Sequence, residues 1–382
     1  MIIEYRFSSP EGDISAGATE LAAPFKITPG RNHPSLTVGD YFETIQAFVL
    51  KDDGRALIPV LQALFNGPTN PDQIDRLLIR SEKHGALYHL ASVEILSGTH
   101  AAKFAVSTAV TQESKDWLAL ERKVIAHLNE RLNLPYLPDI YFNADMDCRA
   151  EGEVVTLSML LAQWFDDHHE WHLSLDETAR QGVRIWDREA GDFFASDEER
   201  FHIYREASRI LTLYYDPDDF SQIYPWHHAA GDFVVSGKGS PMTMRLTTAR
   251  GYKPMMHFTL EGKAGPLAAA VYFLLNLTVR MRLDKLDGMG DAAWAAGDCV
   301  EAVCRGFFDA LSRMEGEGRW KAAPLGDLFT LLNSFSPEEL RGLYEPLMEI
   351  YAEEDPEDFL LIRKHLDRHV RRLCRVLKSS RL

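Results

Sequence analysis

The stretch from Leu77 to Val110 (LLIRSEKHGALYHLASVEILSGTHAAKFAVSTAV) constrains the chain more than any other. It holds three short β-prone runs separated by His84-Gly85 and Gly98-Thr99, the turn chemistry of two hairpins and hence of three antiparallel strands. A helix follows. In SKDWLALERKVIAHLNERL (114–132), Trp117, Leu120, Val124, Leu128 and Leu132 recur at helical spacing, with polar residues opposite. Lys103 is the lone charge inside AAKFAV (101–106), and strand alternation sets it on one face with Ala101 and Ala105. Glu121, one turn after Trp117 and one before Val124, sits on the apolar stripe of the helix. A carboxylate desolvated there needs a cationic partner. The spacing therefore predicts a Lys103–Glu121 ion pair between strand and helix.

At 382 residues the chain exceeds the size at which one hydrophobic core stops growing, so at least two lobes are expected. Its composition, 46% apolar and 26% charged, is that of a globular protein. Lys plus Arg number 41 against 57 Asp plus Glu, a formal net charge of −16. Such a molecule repels polyanions, which argues against a general DNA or RNA binder. Cys148, Cys299, Cys304 and Cys374 are too sparse for a disulfide scaffold and include no C-x-x-C pair, the pattern of a reducing compartment. The longest apolar run, Pro266 to Val279, contains Asn276 and is too short for a spanning helix. The opening residues MIIEYRFSSPEGD lack a basic stretch leading into an apolar one. A soluble cytoplasmic protein without a transmembrane segment is the expectation.

Residues 1–40 are rich in Gly, Pro, Ser and Thr and resist a periodic assignment, while 41–66 show helical spacing broken near Gly54. Residues 1–73 are read as an N-terminal extension. After Pro135 and Pro138, VVTLSMLLAQWF (154–165) supplies one or two buried strands, and DDHHEWHLS (166–174) reads as a polar linker. Ser196-x-x-Glu199 is a capping box opening a buried helix that Pro217 ends. FVVS (233–236) and MTMRLTT (242–248) form a hairpin around Gly237 and Gly239, and everything after Gly265 reads as helical, with starts at Ser336-Pro337 and Asp355-Pro356.

This order of elements, with a mid-strand Lys103, an inward Glu121, an apolar run, a buried helix and a His-rich loop before a hairpin, resembles the kinase-like fold. The resemblance spans about residues 75–315 and points to the aminoglycoside phosphotransferase and choline-kinase-like branch. It implies a two-lobed α+β fold, with a small antiparallel-sheet N-lobe and hinge over 74–165 and a larger helical C-lobe over 166–382. It also implies ATP and Mg²⁺ as cofactors and a small-molecule or nucleotide ligand. Lys103 looks like the lysine that holds the α- and β-phosphates, Glu121 like the glutamate that orients it, and MLLAQWFDD (159–167) like the hinge. In IYPWHHAAGDFVVS (223–236), Gly231-Asp232-Phe233 falls on the family's Gly-Asn-apolar triplet. Asp232 then takes the metal position and His227 that of the catalytic base.

Several positions depart from the family. The base is not Asp, Thr248 in RLTTARGY (245–252) stands where the magnesium-binding Asp belongs, and no Gly-rich phosphate loop is present. Arg245 and Arg250 flank Thr248, placed either to contact phosphate directly or to pair with acidic neighbours. Three readings stay open: a kinase-like protein with an altered site that binds a nucleotide or anion with weak or no phosphotransfer, an active phosphotransferase using His227 and Asp232, and a non-catalytic interaction protein.

Two further clusters bear on function. In DDHHEWH only His168 and His172 have the helical spacing of a metal pair, and a third ligand is missing, so solvated linker histidines are expected. The C-terminal RKHLDRHVRRLCRVLKSSRL (363–382) carries six Arg and two Lys against one Asp, with Ile362, Leu366, Val370, Leu373 and Leu377 as an apolar stripe. This basic helix is expected to dock on the acidic body or to contact an anionic partner.

Overall fold

The computed structural model describes residues 1–9, 12–28, 30–54, 56–65, 70–85, 87–187, 190–228, 231–237, 242–258, 264–321 and 323–379. Gly239 of the expected hairpin, Ala229 and Ala230 of the His-rich loop, and the last three residues of the basic tail lie outside them. The chain is mixed α+β, rich in antiparallel sheet in its N-terminal part and in helix in its C-terminal part. It divides into two compact units, residues 1–133 with 138–166, and residues 134–137 with 167–382.

The first unit runs β1 (Ile2–Phe7), β2 (Ile14–Ser15), α1 (Ala18–Leu21), β3 (Pro24–Thr28), β4 (Arg31–Thr37), α2 (Val38–Val49), α3 (Ile58–Phe65), β5 (Arg76–His84), β6 (His89–Ser97), β7 (His100–Ala109), α4 (Gln112–Leu132), β8 (Ile140–Ala150) and β9 (Glu153–Gln163). The expected three-stranded meander is β5 to β7, with its second turn at Gly98-Thr99 as expected, whereas His84 ends β5 paired with His89 and the first turn follows it rather than containing it. It forms the middle of a seven-stranded sheet ordered β2-β1-β5-β6-β7-β9-β8. Residues 1–40, which show no period, in fact hold four strands, and β1 adds to the sheet in parallel with β5. Alternation along the strands sends Leu77, Ile79, Val93, Ile95, Phe104 and Val106 into one core with Phe42, Ile45 and Phe48 of α2. Ala109 and Leu160 pack instead with Leu118 of α4. The buried stripe of α4 is Ser114, Leu118, Glu121, Val124, Ile125 and Leu128, rotated from the expected one so that Leu120 is exposed. β8 escapes sequence reading because its residues alternate between exposed polar and half-buried positions rather than forming an apolar run.

The second unit runs β10 (His168–Leu175), β11 (Gln181–Ile185), β12 (Phe193–Phe194), α5 (Asp197–Leu213), β13 (Gln222–Ile223), β14 (Phe233–Ser236), β15 (Met244–Leu246), β16 (Tyr252–Lys253), α6 (Ala264–Arg280), β17 (Leu283–Lys285), β18 (Ala292–Trp294), α7 (Cys299–Gly316), α8 (Leu325–Ser334), α9 (Pro337–Leu343), α10 (Glu345–Glu354) and α11 (Pro356–Ser379). Two expectations are corrected here. From His168 on, the supposed linker DDHHEWHLS is β10, the middle strand of a sheet ordered β12-β11-β10-β14-β15, with Trp171, His172, Leu173 and Ser174 buried. The region after Gly265 is not all helical, since β17 and β18 pair as a short hairpin.

Helix α5 opens on its capping box, Ser196 Oγ accepting from Glu199 N–H at 3.2 Å and Glu199 Oε2 from Ser196 N–H at 2.8 Å. It crosses α7 at Gly306, where a Cβ would lie 2.1 Å from the Arg205 carbonyl oxygen, so only glycine lets the two backbones meet. Helix α11 buries Ile362, Leu366, Val370, Leu373 and Leu377 as its apolar stripe requires. All four cysteines are free and buried. No helix among the described residues is long and apolar enough to cross a membrane.

Candidate functional site

The His-rich loop between β13 and β14 is held from inside. Its Tyr224-Pro225 peptide is cis, and His228 sits among rings, 4.6 Å from Trp171, 5.4 Å from Phe233 and 5.6 Å from Trp226, centroid to centroid. Burial pushes His228 down to about 3, so its imidazole is neutral and structural. This packing turns the flanking residues, His227 and Asp232, to other duties.

Asp232 is 1% exposed. Its Oδ1 accepts from Arg250 Nη2 at 2.5 Å and its Oδ2 from Arg250 Nη1 at 2.6 Å, while the His227 backbone N–H donates to Oδ2 at 2.8 Å. Thr247 N–H donates to the Asp232 carbonyl at 2.8 Å and fixes the loop that carries Arg250. A fork-on-fork guanidinium pair is the strongest arrangement a buried carboxylate adopts. It also leaves the carboxylate neutralised.

The His227 ring has a different neighbour, with Nε2 3.6 Å from Asp358 Oδ2 on α11. Arg280 Nη2 lies 3.6 Å from the same oxygen. Its guanidinium also rides over Tyr224, 5.4 Å from the ring centroid, and Tyr224 Oη donates to Glu354 Oε2. Burial would raise the Asp358 carboxyl, but His227, Arg280 and Lys285 outweigh it and hold it below the ordinary range. The Asp358 carboxylate thus lies beside the His227 ring and orients the imidazole. Sequence reading named Asp358 only as an acidic neighbour of the basic tail and did not name Arg280: they lie on α11 and α6, far along the chain, and only the fold brings them to His227.

The remaining candidates fall as follows. Arg245 lies on β15 opposite Val234, and Thr248 is half-buried just before Arg250. In the first unit, Lys103 stands opposite Glu94 in the β6–β7 ladder, and its Nζ lies 4.2 Å from the ring centroid of Trp164. Glu121 is 7% exposed on α4. The Lys103–Glu121 ion pair expected from the spacing is not found among the described residues; Lys103 serves the indole face instead, a cation–π contact at the end of the apolar run.

β10 supplies a polar centre that the linker reading missed. His172 is 1% exposed, with Nδ1 3.4 Å from Asp284 Oδ1 and Nε2 3.6 Å from Glu170 Oε2. Burial alone would discharge it, but the two carboxylates outweigh burial and raise it to about 9. Asp284 is itself fixed by Leu173 N–H at 2.7 Å and Lys285 N–H at 2.8 Å. The signal available in the sequence was Trp171-x-Leu173-x-Leu175, a period of two inside a polar run. His168 and His172 are not a metal pair on a helix, and no group of three or more His, Cys, Asp or Glu that could hold a metal occurs among the described residues.

Compared with known proteins, the chain matches no protein-family model and has no match among curated proteins.

Proposed function

We propose that this chain is a kinase-like protein with an altered site, one that binds a nucleotide or other small anion and transfers phosphate weakly or not at all. The observation that carries the reading is the Arg250–Asp232 fork. Phosphoryl transfer depends on Mg²⁺ held by hard carboxylate oxygens, and both oxygens of Asp232 already accept from a guanidinium. The second magnesium position of the resemblance is Thr248, a neutral residue. Both oxygens of Asp232 being taken by Arg250, this donor set does not fit Mg²⁺. The first unit supports the coarse resemblance, with three antiparallel strands, then α4, then two further strands.

A second reading, active transfer with His227 as base, draws on one observation, the Asp358 carboxylate beside the His227 ring. One experiment separates the two. A turnover assay with ATP, Mg²⁺ and amino-sugar, choline-like and hydroxyl acceptors is expected to show no transfer above the uncatalysed rate. Thermal shift by ATP is expected to be the same with and without Mg²⁺. Robust transfer that disappears in Asp232→Ala would establish the active enzyme instead.

A further inference from the structure

A second site lies in the C-terminal unit, away from the His-rich loop. A cavity of about 500 Å³ is bounded by α11, by Trp294 at the end of β18 and by the segment 295–298. Five arginines line it: Arg282, Arg368, Arg371, Arg372 and Arg375. Its single carboxylate, Asp298, is already paired with Arg200.

These cations differ from the rest of the chain's basic residues. The protein carries 57 acidic side chains, and docking on them is one of the two roles that the sequence suggests for the basic tail, contact with an anionic partner being the other. Helix α11 docks through its apolar stripe instead, and among the described residues none of the five lining arginines makes an ion pair. Arg282 is the sharpest case. It is 5% exposed, and its guanidinium donates only to neutral groups, to the Ala295 carbonyl at 2.6 and 2.9 Å and toward His369 Nδ1 at 3.5 Å. His369 cannot compensate it, because burial, and then Arg282 itself, push that imidazole down to about 3. Trp294 stacks on one side, its ring centroid 4.6 Å from the guanidinium carbon. A buried cation without a counter-charge is costly, and the cavity beside it is where an anion would relieve that cost.

The geometry points to a binding site for a compact polyphosphorylated small molecule. Arg368, Arg371, Arg372 and Arg375 follow the i, i+3, i+4, i+7 pattern that puts them on one helix face, spread over about 10 Å of helix rise. That length accommodates more than one phosphate group, each matched to a planar guanidinium fork. The volume is that of a small-ligand cavity. The overall charge of −16 repels an extended polyanion such as RNA, whereas a compact ligand inside the cavity lies within a Debye length of the arginines and is screened from the rest. The same chemistry is offered by a soluble polyphosphate or by a phosphorylated lipid headgroup. This proposal does not rest on the kinase-like reading.

The test is calorimetric titration of the full chain with tripolyphosphate and with inorganic phosphate. Alongside it run flotation with phosphatidylcholine vesicles, with or without a bisphosphorylated inositol lipid, and competition by single-stranded RNA. Tripolyphosphate is expected to bind more tightly than monophosphate. Arg371→Ala and Arg375→Ala, both at exposed positions, are expected to weaken it about tenfold each without changing Tm. Flotation confined to the phosphorylated-lipid vesicles assigns the source to a headgroup, and soluble binding without flotation assigns it to a free ligand; either upholds the site. Absence of tripolyphosphate binding, unchanged affinity in both variants, or RNA binding more tightly than tripolyphosphate overturns it.

Discussion

His172 shows how far a single side chain departs from what its neighbours in sequence suggest. In DDHHEWHLS it is one histidine in a polar run; in the fold it is a buried cation between Asp284 and Glu170. Its pKa rises from 6.5 to about 9 on folding, so the native state holds the proton more tightly than the unfolded chain. The stability this confers is fully present below about pH 6.5 and is lost as pH rises through about 9. Denaturant titrations of wild type and His172→Gln across that window are expected to differ by up to about 3 kcal/mol at the acidic end and to converge at the alkaline end. A difference independent of pH would assign His172 a packing role only. The turn above it is tuned to the same ring: Gly288 has φ +73°, and a Cβ there would stand 2.9 Å from His172 Nε2.

Among the elements, those governed by local chemistry were legible and those governed by distant partners were not. Gly98-Thr99 closes the β6–β7 hairpin, Ser196 and Glu199 cap α5 reciprocally, and Ser336 and Glu339 do the same for α9. In each case the residues that define the feature lie within four positions of one another. β10 was missed because its polar residues are satisfied by Asp284 and by the turn at Asp287, which accepts from Ser174 Oγ at 2.6 Å, more than a hundred residues later. At the candidate site, the family resemblance singled out Asp232 and His227, and the sequence offered Arg250 an acidic neighbour without saying which; that Arg250 forks onto Asp232 and that Asp358 lies beside His227 depend on the fold. The crossing of α5 and α7 is set by one residue. Gly306→Ala gains about 1 kcal/mol in helix propensity, yet it places a carbon 2.1 Å from the Arg205 carbonyl oxygen, and overpacking of that kind costs about 3 kcal/mol. The net effect in thermal or denaturant unfolding is expected to be destabilising; a neutral or stabilised variant would mean that the helices separate at little cost.

Across the whole molecule, the charge distribution is uneven rather than uniformly acidic. A chain at −16 sets Arg368, Arg371, Arg372 and Arg375 on one face of its last helix, where they line one cavity and none makes an ion pair among the described residues, so its net charge is a poor guide to its local surface charge. The two-unit division sorts the cysteines as well, with Cys148 in the first unit and Cys299, Cys304 and Cys374 in the second. Burial pushes Cys299 and Cys304 up to about 12, leaving almost no thiolate at neutral pH. These sulfurs thus form a built-in opening clock, silent while the protein is folded and reporting separately on each half. With an aromatic disulfide reagent, the native protein is expected to release no rapid burst of colour. Peptide mapping during partial denaturation is expected to show the Cys148 adduct following its own rate, apart from the three in the C-terminal unit. An immediate adduct at any of the four in native buffer would contradict their burial.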